Sequence, residues 1–180
     1  MTVFEVLREE TRAHHTAAES AAGLPAARAE LIRQLRAFRA FYAAWEPWAV
    51  TAAPAGVAWS GAWRVEALDA DLAALDAPVP RETTPAPTFS DNPAVIGSLY
   101  VVEGSALGGQ VIAAHLERVL GVKGGGATFF RGAGAQTMPR WRAFKESAAP
   151  LVPPDGHAAA VAGARATFDA IGAALRAHWA

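Results

Sequence analysis

Apolar residues recur at three- and four-residue spacing along almost the whole chain, and no run alternates β-branched residues at every second position. That pattern predicts helices throughout. Thr2 and Glu5 form a capping-box pattern that opens a first helix reaching about residue 22, before Gly23 and Pro25. Leu31, Leu35, Phe38, Tyr42 and Trp45 mark a second helix, disturbed near Pro47. Val65, Leu68, Leu72 and Leu75 form the stripe of a third, over about 62–75. Residues 76–93 are rich in Pro and Thr and read as an irregular crossing. Asp91 or Asn92 followed by Pro93 begins a fourth helix, which Gly121 ends. Residues 122–136 read as a loop in which Gly124, Gly125 and Gly126 lie beside Phe129 and Phe130. A fifth helix starts near Thr137 and stops before Pro150, and a sixth runs from about Asp155 to the C-terminus. The expectation is an all-α, multi-helix fold without internal repeats, forming a single domain over residues 1–180.

The fourth helix holds an unusual segment, EGSALGGQVIAAH, with Gly104, Gly108 and Gly109 inside it. An interior Gly costs about 1 kcal/mol relative to Ala, so roughly 3 kcal/mol must be offset elsewhere. Gly104 and Gly108 are four apart and Gly97 lies one heptad earlier, so positions without a side chain line one face. That face admits either a second helix or a large flat ligand. Residues 93–116 are also apolar enough to suggest a membrane span, but Glu103 near the midpoint argues for a buried helix of a soluble protein.

Composition narrows the chemistry. The formal net charge is -1 with no basic stripe, which disfavours nucleic acid as a partner. The first 19 residues lack the pattern of a secretory signal, so a cytoplasmic location is expected, with no membrane association. With no cysteine, disulfides, thiolate metal sites and a cysteine nucleophile are excluded, and a metal ligand is sought among five histidines.

Two of those histidines, His14 and His15, lie on the two edges of the apolar face of the first helix, and periodicity does not choose between them. His15 lies one turn before Glu19 and two turns beyond Arg8 on nearly the same stripe. An imidazole with a carboxylate for its second ring nitrogen suits an iron ligand, and Arg8 suits an anionic group on the same ligand.

LREETRAHHTAAE, residues 7–19, resembles the N-terminal helix of the heme oxygenase family, in which a Thr precedes the proximal His by four residues and a Glu follows it by four. By that register Thr11 and Glu19 select His15. EGSALGGQVI, residues 103–112, resembles the distal-helix motif of the same family, whose glycines let the helix kink over the heme. The order of the two segments, the Phe129-Phe130 pair and the basic helix around Trp141 to Lys145 extend the resemblance to most of the chain. It points to the bacterial, biliverdin-producing branch, of the bacteriophytochrome-associated type.

The resemblance implies a heme oxygenase-like fold with heme between the N-terminal proximal helix and the glycine-kinked distal helix. It makes His15 the axial iron ligand and Glu19 its hydrogen-bonding partner. Gly104, Gly108 and Gly109 become distal heme contacts, and Arg8 and Arg142 meet the propionates, with Lys145 as a possible further contact. His15, Gly104, Ser105 and Gly108 are the implied catalytic set. The implied reaction uses heme as cofactor and substrate, O2 and an external electron donor, a reductase or ferredoxin-type protein, to give biliverdin, CO and ferrous iron, with cleavage at the α-meso carbon. A biliverdin-using photoreceptor is an implied partner.

Two positions depart from the family pattern. Ser105 stands where the best-studied members place an Asp that organises distal water, and Val101 stands where they have a basic residue. Ser at the Asp position occurs in the bacterial branch. The alternative to an oxygenase is a heme carrier or sensor of the same fold, for which Ser105 is the sequence support. A thiamin-degrading enzyme of the TenA-like group would share the architecture but needs a cysteine. Glu103 reads as an exposed or inter-helix polar contact rather than an acid, and His115 as a boundary residue.

Overall fold

The computed structural model describes residues 1–179. In chain order its helices are α1 (Val3–Glu10), α2 (Arg12–Ala22), α3 (Arg28–Ala52), α4 (Arg64–Ala74), α5 (Asn92–Leu120), α6 (Thr128–Arg131), α7 (Thr137–Ala148) and α8 (His157–Trp179), and no strand occurs among the described residues. The all-helical expectation therefore holds, with two local differences.

The expected first helix is divided into α1 and α2. Its start is as the sequence reads: Thr2 accepts from the Glu5 N–H, and the Glu5 carboxylate accepts from the Thr2 N–H at 2.7 Å. The division falls at Thr11, with φ -106° and ψ 3°. Its hydroxyl is buried and donates to the Leu7 carbonyl at 2.7 Å, the back-bonding that bends helices. Arg8 and His15 thus lie on separate helical segments, and the turn at Thr11, rather than an ideal helical step, sets their relative direction.

The central pair is α5 and α8. Asp91 caps α5 by accepting from the Ala94 N–H at 2.9 Å, and Gly121 closes it in the left-handed region at φ 67°. Gly97 on α5 and Gly163 on α8 let the two backbones touch: a Cβ at Gly97 would meet the Ala160 carbonyl, and one at Gly163 the Ala94 carbonyl. Gly97 therefore serves helix packing and is not part of a ligand-facing row. Where the two helices meet α3, the Trp45 indole N–H donates to Ser98, whose hydroxyl pairs with that of Thr167 at 2.8 Å. Both α5 and α8 are long and apolar enough to cross a membrane, yet about half of each such stretch is buried within the protein.

The second difference is α6, inside the expected loop. Buried carboxylates explain both its presence and the placement of α4. Glu46 on α3 accepts from the N–H groups of Trp63, Arg64 and Val65 at 3.0, 2.7 and 3.2 Å, satisfying the start of α4. Asp71 on α4 accepts from Gly126, Thr128 and Phe129 at 2.9, 2.9 and 2.8 Å, and so starts α6. A short helix that could not persist alone is held by one fully buried side chain. The chain of supports runs from α3 through α4 to α6 and fixes the aromatic residues that form one end of the site.

Candidate active site

A cavity of about 660 Å³ is lined by residues of α2, α5 and α8, with further residues from α3, α4, α6 and α7. This is within the range of small-molecule and cofactor pockets. One end is aromatic: Phe129 packs on Phe38, Tyr42 and Trp63 with ring centroids 5.2, 5.6 and 6.3 Å apart. Towards the other, Tyr100 packs on Phe4 and Trp141 at 6.0 and 5.5 Å. The lining is overwhelmingly apolar, with a few convergent polar groups.

His14 and His15, equivalent by periodicity, separate in three dimensions. The His14 Nδ1 lies 2.8 Å from the Asp169 carboxylate on α8, and the residue is not part of the cavity wall. His15 lines the cavity, its ring edge-on to Phe168 at 5.6 Å, and its Nδ1 lies 3.3 Å from the Glu19 carboxylate. That leaves Nε2 as the ring nitrogen available to a metal. Among the lining residues His15 is the one histidine; His115, His157 and His178 are elsewhere. His115 instead donates from Nε2 to the Pro25 carbonyl at 2.9 Å, tying α5 to the turn that follows α2.

Gly104, Ser105, Gly108 and Gly109 all reach the cavity, but they are not alike. A Cβ at Gly108 would meet nothing within 4 Å, and one at Gly104 only the Trp141 ring, at 3.5 Å. At Gly109 a Cβ would lie 2.7 Å from the Phe130 carbonyl, so this glycine is required chiefly for the approach of α6. The helix itself is uninterrupted through all three. Ser105 donates its proton to the Val102 carbonyl at 2.7 Å.

Arg8 and Arg142 are exposed and outside the lining. Arg8 nevertheless acts on the cavity edge: burial pushes the Tyr100 hydroxyl above its ordinary pKa, and the Arg8 charge partly offsets this. Lys145 lies with its ammonium 5.3 Å from the Trp141 ring centroid, a cation-π contact towards the Tyr100 end of the cavity.

Arg64 and Tyr42 are groups the sequence pattern does not single out for the site. Arg64, at the start of α4, is 2 % exposed and lines the cavity. It is paired with Glu103 at 3.0 Å, and Ser60 donates to the same carboxylate oxygen at 2.6 Å. Glu103 is thus the inter-helix polar contact expected of it. Burial raises the pKa of the Tyr42 hydroxyl, and Arg64 and Ser105 partly counter that rise. No signal in the linear pattern marks Arg64, because its partners come from residues 60 and 103.

The donor set suits a flat, mostly apolar macrocycle with one metal: one imidazole with an acceptor for its second nitrogen, a wall open at Gly108, and aromatic ends. Among the described residues no cluster of three His, Cys, Asp or Glu is placed to hold a bare metal ion. A metal at His15 would therefore have to arrive with most of its ligands already attached.

The family model described as heme oxygenase matches residues 58–177. No curated protein sequence gives a significant match. Among solved structures, the NO- and CO-bound heme oxygenase of Neisseria meningitidis superposes with a TM-score of 0.76 at 24% sequence identity, over 99% of this chain and 92% of that one.

Proposed function

The chain belongs to the heme oxygenase family, enzymes of heme oxidation, and on that premise we propose that it cleaves heme to biliverdin, CO and ferrous iron in the cavity between α2 and α5. The observation that carries this reading is the single histidine among the cavity-lining residues, His15, with Glu19 on its Nδ1 and the glycine segment of α5 lining the same cavity. When bound, heme supplies both the iron at which O2 is reduced and the carbon skeleton that is cleaved.

The protein's own groups have distinct tasks. His15 holds the iron through Nε2, and Glu19 fixes the ring orientation and raises the basicity of the imidazole. Gly108 would leave room for the macrocycle, and the Trp141 ring packs near Gly104 beside it. Ser105, its proton committed to Val102, supplies an acceptor and no acid. The Phe38, Phe129 and Phe130 end keeps water from the reacting edge, while Arg8 and Arg142 serve the propionates from the rim. Cleavage at the α-meso carbon, a reductase or ferredoxin-type electron donor, a cytoplasmic location and supply of a biliverdin-using photoreceptor complete the reading. Ser105 supports its placement in the bacterial, bacteriophytochrome-associated branch.

The test is to reconstitute the protein with heme, add a reductant under O2 and follow the Soret band with catalase present. Biliverdin should form as the band decays. A stable ferrous-oxy complex with no tetrapyrrole product would refute the oxygenase and leave a carrier or sensor.

A further inference from the structure

Family members with an Asp after the first motif glycine have a carboxylate to organise distal water; this chain has Ser105, whose proton is taken up by Val102. The charged group nearest to that role comes from another element. Arg64 is the one arginine or lysine among the cavity-lining residues. Its guanidinium is clamped by Glu103 and Ser60, both at 3.0 Å, and by the Gly61 carbonyl at 3.3 Å, and it lies over the Trp63 and Tyr42 rings at 5.0 and 5.6 Å. Behind it is a second, smaller cleft of about 20 Å³, where the polar groups of Ser60, Glu103, Thr137 and Arg140 meet Trp63 and Trp141. That is room for one water. Arg64 therefore belongs to both walls, while Glu103 touches only the outer cleft.

A buried ion pair is rarely a net source of stability, because desolvation offsets its attraction. Its position between a water-sized cleft and the face beside Ser105 supplies a different reason for it. We propose that Arg64, held in place by Glu103, is a positioning residue for heme oxidation: its charge orients water and small anionic ligands on the distal face, the task that related sequences give to the residue at position 105. The inference rests on the heme reading above. The other charged or titratable groups on this side are Glu46, whose oxygens are committed to the start of α4, Arg140 at the outer cleft, and Tyr42 and Tyr100, the latter near Arg8. His15 and Glu19 face the cavity from α2.

The pH midpoint of the acid–alkaline transition of the ferric heme complex, followed by absorption, reads this field directly and needs no turnover. The alkaline form carries the additional negative charge on the distal side, so a nearby cation lowers the midpoint and a nearby carboxylate raises it. Arg64→Met should raise the midpoint and Glu103→Gln should lower it, each by about one pH unit, the scale of a unit charge ~10 Å away at an effective dielectric of ~20. The double variant should return close to the unsubstituted value. Arg64→Met alone strands a buried carboxylate, so if it does not fold, Glu103→Gln and the double variant decide the matter. A midpoint that stays put, or moves the same way in both single variants, with the His15-ligated spectrum intact, would overturn the proposal while leaving the heme reading standing. Failure of the unsubstituted protein to bind heme would instead overturn that reading.

Discussion

On α2 the groups that face the cavity come from one helical turn: His15 and Glu19 are four residues apart, and both remain more than half exposed at their side chains. On the α5 side the helix supplies mainly space and backbone together with Glu103, while the other polar groups beside it come from residues 42, 60 and 64 and are largely buried. The proximal group is therefore local and tolerant, and the distal group is a product of tertiary packing. Damage to the first should alter ligand chemistry with little effect on folding. Damage to the second should affect folding and ligand environment together.

The largest effect that separates the two sides is at His15. His15→Ala should lower biliverdin formation by at least about 100-fold while leaving the heme-free melting temperature within a few degrees, as expected where ligation but little packing is lost. His14→Ala should leave turnover nearly unchanged, because His14 is engaged with Asp169. If the two variants exchange behaviour, the assignment on α2 is wrong.

Next is Asp71, the support of the aromatic end. Asp71→Ala leaves three N–H groups, one buried and two part-buried, without their acceptor and should cost about 3 kcal/mol in chemical denaturation, with weaker heme binding because Phe129 and Phe130 lose their anchor. Unchanged stability would show that the supports from α3 to α6 do not hold the cavity.

Gly108 and Gly109 sharpen the comparison within a single helical turn. Gly109→Ala should destabilise by about 1–3 kcal/mol, because its methyl meets the Phe130 carbonyl. Gly108→Ala should stabilise the heme-free protein by up to about 1 kcal/mol from helix propensity, yet weaken heme binding, because its methyl enters the cavity. Denaturation curves and heme titrations on the two variants check both statements.

The smallest effect concerns alkaline pH. Burial raises the folded-state pKa of Tyr42 above its ordinary value of 10.0. Stability from its neutral form is therefore complete below that value and is lost as pH rises through the folded one. Tyr42→Phe should reduce the fall in denaturation midpoint between about pH 9 and about pH 11. An unaltered slope would mean that burial does not raise the Tyr42 pKa in the folded protein.

The same contrast explains what could be read from the chain. The ends of α5 were legible because Asp91, Pro93 and Gly121 are local signals, and the His15–Glu19 pair because i,i+4 spacing is a helical contact. The bend at Thr11 was not, since a threonine inside a helix bends it only when its hydroxyl turns to the backbone, here at Leu7. α6 was missed because its cause, Asp71, lies more than 50 residues away. Gly97, Gly104 and Gly108 share one face along the chain, and only their neighbours, Ala160, Trp141 and open space, give them different roles. Arg64 was silent for the same reason, its meaning residing in Glu103 and Ser60.

The most direct test of the account is a crystal structure of the protein reconstituted with heme. It should show the iron bound to the Nε2 of His15, with Glu19 on Nδ1 and the macrocycle lying against Gly104 and Gly108. Iron held by His14 or any other residue, or heme seated outside the cavity between α2 and α5, would contradict it.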